Sequence, residues 1–379
     1  MYDIAIVGAG ILGLAHACQL ARRGKRVVVC ERRPQAEGAS IRNFGMIWAI
    51  GQPAGHEYRL ALRSRQHWLN VLEQSGIWHE RTGSVHLAYH DDEAQILQEF
   101  ASAPESRSHA YELWDPARIV QRSPWVNPVN LKRGLWSPTE VCVDPRLVIG
   151  SLPAWLANTH RVEFRFGTAV LGFDANTVRT STGPLPASRL LVCTGEDFLS
   201  LYPDVYATTG QVRCKLQMLR SQPYVQRLGP MLAAGLTLLH YKNFAQCPTL
   251  PALRHRIERD HPDHVRYGIH VMASQHGTGE LTLGDSHEYG DDITIFDKPI
   301  IDELILAYLQ RFLVLPDLQI RSRWHGIYAK HPTKAYLILE PEPNVNVVTG
   351  VGGAGMTMSF GVADKVARQL CGEPDDESV

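Results

Sequence analysis

Residues 2–7 (YDIAIV) form an apolar strand that runs straight into Gly8-Ala9-Gly10-Ile11-Leu12-Gly13, a helical pattern follows, and RVVVC ends a second strand at Glu31. Strand, glycine turn, helix and strand in that order fold as a βαβ unit whose turn can hold a diphosphate. Gly8 permits the tight turn, Gly10 lets the backbone approach the phosphates, and Gly13 lets the helix press onto the strand. The amides around Ile11 and Leu12 open the helix, where its positive end faces an anion. Glu31 stands about 20 residues further on, where a carboxylate accepts hydrogen bonds from ribose hydroxyls. These features together predict a bound dinucleotide.

Because the strand starts at the second residue, no charged and apolar leader is expected before it. No apolar run reaches the roughly 18 residues of a membrane helix, so a soluble protein with no membrane partner is expected. A chain of 379 residues is long enough for two domains. Its 38 basic and 39 acidic side chains nearly cancel, which removes any general attraction to nucleic acid. The seven cysteines (18, 30, 142, 193, 214, 247 and 371) are odd in number and form no CxxC pair, as expected of packing thiols in the cytoplasm. No CxxC or carboxylate cluster suggests a metal, and none is expected. Oligomeric state is not legible in the chain.

After Glu31 come Arg32-Arg33-Pro34 and then Gly38-Ala39-Ser40-Ile41-Arg42-Asn43-Phe44-Gly45-Met46, where a nicotinamide enzyme would begin its next helix. An extended ligand can lie along this polar stretch. Arg32, Ser40, Arg42 and Asn43 offer donors to it, and Gly45 and Met46 let the chain approach a ring system. FAD is thereby favoured over NAD. Residues 161–173 read as strands around Gly167, including Val170, and 188–193 as a strand ending in Thr194-Gly195, at the carboxyl end where a doubly wound sheet binds ligands. Residues 345–349 form another strand before Gly350-Val351-Gly352-Gly353-Ala354-Gly355-Met356-Thr357, which lead into a helix over about 359–370. A glycine-rich helix entrance stabilises negative charge, which a flavin develops at its N1/O2 edge on reduction.

Between these pieces, residues 208–220, 265–274 and 280–284 alternate with period two and read as an inserted antiparallel sheet. Helices are predicted at about 56–75, 92–101, 145–157, 249–260 and 299–312, with Asp144-Pro145 capping the third. The acidic tail from Gly372 is expected to fray.

GAGILG with Glu31, the GASIRNFGM loop, Val143-Asp144-Pro145, Cys193-Thr194-Gly195, Arg323-Trp324-His325-Gly326 and the closing GVGGAGMT together resemble the D-amino acid oxidase superfamily, in its glycine and sarcosine oxidase branch. The likeness covers essentially the whole chain. It implies an α/β fold with a Rossmann-like, doubly wound FAD-binding domain (1–82, 141–207 and 321–379). An inserted α+β substrate domain on an antiparallel sheet would take 83–140 and 208–320. The implied reaction passes hydride from a C–H beside an amine to flavin N5, hydrolyses the imine, and reoxidises the flavin with O2 to give H2O2.

Departures from that family point to the substrate. Where glycine and D-amino acid oxidases follow the segment resembling Trp324-His325-Gly326-Ile327 with a carboxylate-clamping Arg, this chain has Tyr328. Sarcosine oxidases place a carboxylate-binding Lys where Thr357 stands, and their flavin-tethering Cys falls near Gly326, so non-covalent FAD is expected. A different anion could be held by Lys330, His331 and Lys334, by Arg213 and Lys215 on one strand, and by His240, Tyr241 and Lys242 on another. With 236–244 and 270–289, these residues resemble a subgroup tied to breakdown of 2-aminoethylphosphonate and its N-methyl form, which would release phosphonoacetaldehyde with ammonia or methylamine. Trp48, Met46 and Met272 are expected to wall the flavin face, and His270 or Tyr328 to orient the amine. Asp285 and His287 read as a strand end with a turn. Two alternatives stay open: the same oxidation of glycine, sarcosine or a D-amino acid, and a nicotinamide-dependent or non-enzymatic dinucleotide-binding protein.

Overall fold

The computed structural model describes residues 1–106, 110–290 and 293–374; the last five residues of the acidic tail lie outside the described residues. Five parallel strands form the heart of the first sheet, in the order Glu163–Phe166, Val27–Glu31, Tyr2–Val7, Gly183–Val192, Val345–Thr349. Val27 to Cys30 are buried because packing covers both faces of the sheet, which is why the strand reads as an unbroken apolar run. The helix Ile11–Arg22 lies on one face with every residue from Ile11 to Leu20 buried. Val28, Cys30, Leu190 and Tyr206 pack on the other. Gly183–Val192 serves two partners. Its first half pairs antiparallel with Thr177–Thr180, and its second half parallel with Tyr2–Val7.

The helices His56–Ser75 and Gly355–Cys371 pack together over this sheet, with the Trp68 ring 4.8 Å from Phe360 edge to face. The Trp68 indole donates to the Met356 carbonyl at 2.7 Å, which fixes the start of the last helix. That helix begins at Gly355, about four residues before its predicted start, because the first turn packs here and is buried from Met356 onward.

A second, nine-stranded sheet is antiparallel except where Met231–Ala233 runs parallel to Ser84–Ala88. This exception joins the two insertions. Val212–Pro223 is its hub, pairing with Glu280–Gly284, Glu288–Gly290 and Ile320–Lys330. Lys330 also bridges to Val351, so this sheet touches the last glycine run. We propose the two-unit division given by the sequence, although the pairing of residues 320–330 keeps them with the second sheet. A third, three-stranded sheet joins Met46–Ile47, Val141–Val143 and His79–Glu80.

The five helices predicted from apolar spacing fall at His56–Ser75, Asp91–Ser102, Pro145–His160, Leu250–Asp260 and Pro299–Phe312. Two strand expectations fail. Residues 265–274 contain the end of a short helix, Pro262–Arg266, before the strand Met272–Gln275, since Pro262 at the first helical position sets a helical φ. His240, Tyr241 and Lys242 are not on a strand but at the end of a one-turn helix, Thr237–His240, and the 3-10 turn after it. No helix among the described residues is long and apolar enough to cross a membrane.

Candidate active site

The first glycine turn is shaped as its spacing requires. Gly8 adopts φ +98° against the Cys193 carbonyl, and a methyl on Gly13 would lie 1.9 Å from the Gly8 carbonyl oxygen, so helix and strand are in backbone contact. Gly10 caps the helix without a side-chain bond, and the only atom near its Cβ position is Ser40 Oγ at 3.1 Å. Ser40 Oγ also accepts from the Ile11 amide at 2.9 Å. Leu12 is buried in the same turn. Glu31 accepts from Ala9 N at 3.0 Å through one carboxylate oxygen and from Arg33 N through the other. The turn before Val170 hangs on this strand end, with the Thr168 amide donating to the Glu31 carbonyl at 2.9 Å. Gly195 has φ +68° and open space where a Cβ would lie. The open Cβ approach at Gly195 and the single rotatable neighbour at Gly10, beside a helix start, fit the adenosine and diphosphate of FAD.

Several residues predicted as FAD donors are engaged within the chain. Arg32 pairs with Asp197 at 2.7 Å, joining the ends of two strands. Asn43 donates to the Ala39 and Ser40 carbonyls and accepts from Gly45 N, so its amide holds the loop's own turn. Gly45 is needed because a Cβ would sit 1.9 Å from the Val143 carbonyl oxygen. Arg42 donates to the His325 carbonyl at 3.1 Å and ties the loop to the Ile320–Lys330 strand. Thr194 Oγ1 donates to the Asp197 carbonyl at 3.1 Å.

At the other end of the cradle lies Thr357. It is buried, and its hydroxyl oxygen accepts the Trp48 amide at 2.8 Å. This bond holds Trp48 and the buried Met46 beside the last glycine turn. Trp48 packs 6.2 Å from Tyr241 between ring centres, and the Tyr241 hydroxyl meets Met272 Sδ at 3.3 Å. Across from them stands Tyr328, with only its Cζ and hydroxyl near the Cβ position of Gly353, the hydroxyl at 3.6 Å. Ala354 and Gly355 lead directly into the helix. Tyr328 is thus the side chain set against the glycine turn, and Trp48 packs with Tyr241 and is tied to Thr357 in the helix that follows the turn. Burial, with Cys214 and Tyr289 nearby, holds the Tyr328 phenol well above its usual range. It is a hydrogen-bond donor rather than a base.

Beside Tyr241 and Tyr328 three imidazoles converge. His240 lies 3.9 Å from His270 and 4.4 Å from His287, and His270 and His287 lie 5.0 Å apart, all between ring centres. Asp285 reaches His270 Nε2 at 3.1 Å and His287 Nε2 at 3.8 Å. Burial drives His240 and His270 well below the usual imidazole range and His287 down to about 4, while raising Asp285 well above the usual carboxylate range. Lys330 Nζ donates to the Tyr289 hydroxyl at 2.9 Å, and burial lowers its pKa.

The other predicted cations lie elsewhere. Cys214 pairs with Tyr328 across the sheet, so period-two alternation turns Arg213 and Lys215 to the opposite face. There Lys215 is buried, pairing with Asp297 at 2.9 Å and donating to the Thr294 and Phe296 carbonyls. His331 Nδ1 accepts from the Thr333 and Lys334 amides and shapes a surface turn, with Lys334 exposed on it. Arg213, His331 and Lys334 are therefore removed from the substrate side.

Sequence reasoning passed over the cluster that His240, Asp285 and His287 form with His270. The hairpin register that pairs Gln275 with Leu281 and Met272 with Gly284 would set Val271 opposite Asp285; the structure slips by one residue, so that His270 and Asp285 exchange backbone hydrogen bonds at 3.2 and 2.8 Å. His240 gave no register signal, since it arrives from a separate helix.

Fold and site together define a flavin-binding oxidoreductase whose second sheet reaches the last glycine turn. The family model for FAD dependent oxidoreductase matches residues 3–369, and the chain belongs to that family. A monomeric sarcosine oxidase from Bacillus sp. strain NS-129 is 23% identical over 391 residues, covering 97% of this chain and 92% of that protein. Among solved structures, glycine oxidase from Bacillus cereus superposes with TM-score 0.80 at 17% identity, over 99% of this chain and 96% of its own. L-proline dehydrogenase from P.horikoshii gives 0.78 at 21% identity, over 99% and 94%. At these identities the structures establish the fold alone.

Proposed function

We propose that this protein oxidises a small amine carrying a phosphonate, 2-aminoethylphosphonate or its N-methyl derivative, with non-covalent FAD. The observation that carries the reading is Tyr328, buried at the last glycine turn where the resemblance places a carboxylate-clamping Arg. A phenol cannot make the two parallel charged bonds that hold a carboxylate. Lys330, two residues further along the same strand face, instead offers the compact ammonium of a single-point donor, which suits a tetrahedral anion. Gly326 supports a non-covalent cofactor: it carries no thiol, and its Cβ position is closed off 3.2 Å from Arg42.

When bound, FAD supplies a two-electron acceptor for hydride from the carbon beside the amine. The chain's part is placement. Trp48 and Tyr241 confine the amine on one side and the Tyr328 hydroxyl donates from the other, while burial keeps His270 uncharged, so the amine enters as its free base. The resulting imine takes up water and splits to phosphonoacetaldehyde with ammonia or methylamine. We take O2 as the final oxidant, giving H2O2, and place the reaction in the cytoplasm, a reading supported by seven cysteines that are all unpaired thiols.

Anaerobic titration tests this directly. The flavin bands should bleach with an aminophosphonate, and Tyr328→Arg should shift bleaching towards glycine or sarcosine. Bleaching of the wild type by sarcosine but by neither aminophosphonate overturns the proposal in favour of a carboxylate amine, the class named in the sarcosine and glycine oxidase relatives.

A further inference from the structure

We propose that His240, His270 and His287, together with Asp285, bind one divalent transition-metal ion of the zinc class beside the substrate chamber. These are the three residues that, among the described residues, bring three histidine, cysteine or carboxylate ligand atoms within 4.8 Å of one another. An ion bound at about 2.0–2.1 Å to imidazole nitrogens draws tetrahedral ligands to roughly 3.3 Å apart. Closing the remaining gap requires the three rings to turn towards one point.

The carboxylate is an independent observation. Asp285 Oδ1 is buried, lies 3.1 Å from His270 Nε2, and takes part in no hydrogen bond. An oxygen and a nitrogen that close, with no proton aligned between them, are spaced as two ligands of one ion. His270 Nδ1 is likewise buried without a partner. Lys330, the nearest cation, is turned to the Tyr289 hydroxyl and does not pair with the carboxylate.

The surroundings complete the pattern. His287 Nδ1 meets the Gly268 carbonyl at 3.0 Å, which fixes the ring tautomer and leaves the Nε2 lone pair facing the cluster. His270 and Asp285 are locked to each other by two backbone bonds at the end of the 272–284 hairpin. His270, His287 and Asp285 are buried, while His240 is half-buried, so the site has rigid walls and one accessible side. A divalent ion would supply the positive charge that the missing Arg does not, within reach of an anionic headgroup. The ion site itself does not depend on which amine is oxidised.

The test uses the FAD-loaded protein, stripped with chelator, incubated with Zn2+ alone and desalted. Elemental analysis should find about one ion per chain, and His240→Gln and Asp285→Asn should each lower retention at least about fivefold. FAD content and near-UV circular dichroism confirm that each variant is folded. X-ray absorption at the zinc edge should show imidazole scattering with first-shell distances of about 2.0–2.1 Å. Failure of the folded wild type to retain Zn2+, or equal retention by wild type and both variants, overturns the site. Anaerobic bleaching of the same samples reports the substrate separately, so loss of the ion site and loss of the aminophosphonate reading give different results.

Discussion

Gly13→Ala and Gly10→Ala separate two jobs done by one turn. At Gly13 the added methyl would lie 1.9 Å from the Gly8 carbonyl oxygen, and Cβ contacts under 3.0 Å are essentially never found. Backbone cannot rotate aside, so helix and strand must part by 3.0 minus 1.9, or 1.1 Å. Overpacking of this kind costs about 1–3 kcal/mol. Losing FAD removes a further 2.7 kcal/mol or so where the cofactor stands at about 100 times its dissociation constant. At about 2–4 °C per kcal/mol, the Tm of the loaded protein should fall by roughly 7–23 °C. Gly10 differs. Its new methyl would meet only Ser40 Oγ at 3.1 Å, the tip of a rotatable side chain, while standing in the path of the diphosphate. Gly10→Ala should therefore lose FAD yet keep the stability of stripped wild type to within about 1 kcal/mol. The assay is FAD-to-protein absorbance after desalting, with Tm measured for stripped and reloaded samples of each variant. A Gly13→Ala protein that keeps stoichiometric FAD and an unchanged stripped Tm would refute the close-packing argument.

Thr357→Val keeps the shape but removes the acceptor of the buried Trp48 amide, at a cost of about 1–3 kcal/mol in a urea titration and with no change in substrate preference. A changed preference at unaltered stability would return Thr357 to the substrate. Burial pushes His16 and His276 down to about 4 and His86 to about 3, from an ordinary value of 6.5. Between pH 6.5 and 4 the unfolded chain binds these protons and the folded chain does not, so stability is full above 6.5 and falls with acidification. The slope should approach about 1 kcal/mol per pH unit for each histidine, read from urea midpoints at pH 7 and pH 5. Flat midpoints would show that these rings are not buried neutral.

The cofactor side was readable because it is local. Glycine spacing, strand hydrophobicity and Glu31 all act within one short βαβ unit, and amphipathic spacing located five of the helices. The substrate side was less readable because residue type does not say which face a side chain takes. Arg213 and Tyr328 are both on paired strands, yet alternation sends one away from the site and the other into it. Lys215 looked like an anion ligand and is a buried tie to Asp297 and two carbonyls. Thr357 and Asn43 looked available but saturate backbone groups nearby. His240, His270 and His287 arrive from three elements, so no contiguous spacing could announce them.

Tyr2–Val7 lies between one neighbour completed at Glu31 and another that begins only at Gly183, with the last glycine turn later still at Gly352. At about 5–20 residues per second, a ribosome needs roughly 8–30 s to supply the second neighbour and about as long again to reach that turn. During this interval the nascent chain carries a strand with an unpaired, aggregation-prone edge. FAD cannot be enclosed until nearly all of the protein has been synthesised. Holdase chaperones and the supply of free flavin should therefore govern the yield of active protein in cells more than they govern the stability of the finished molecule.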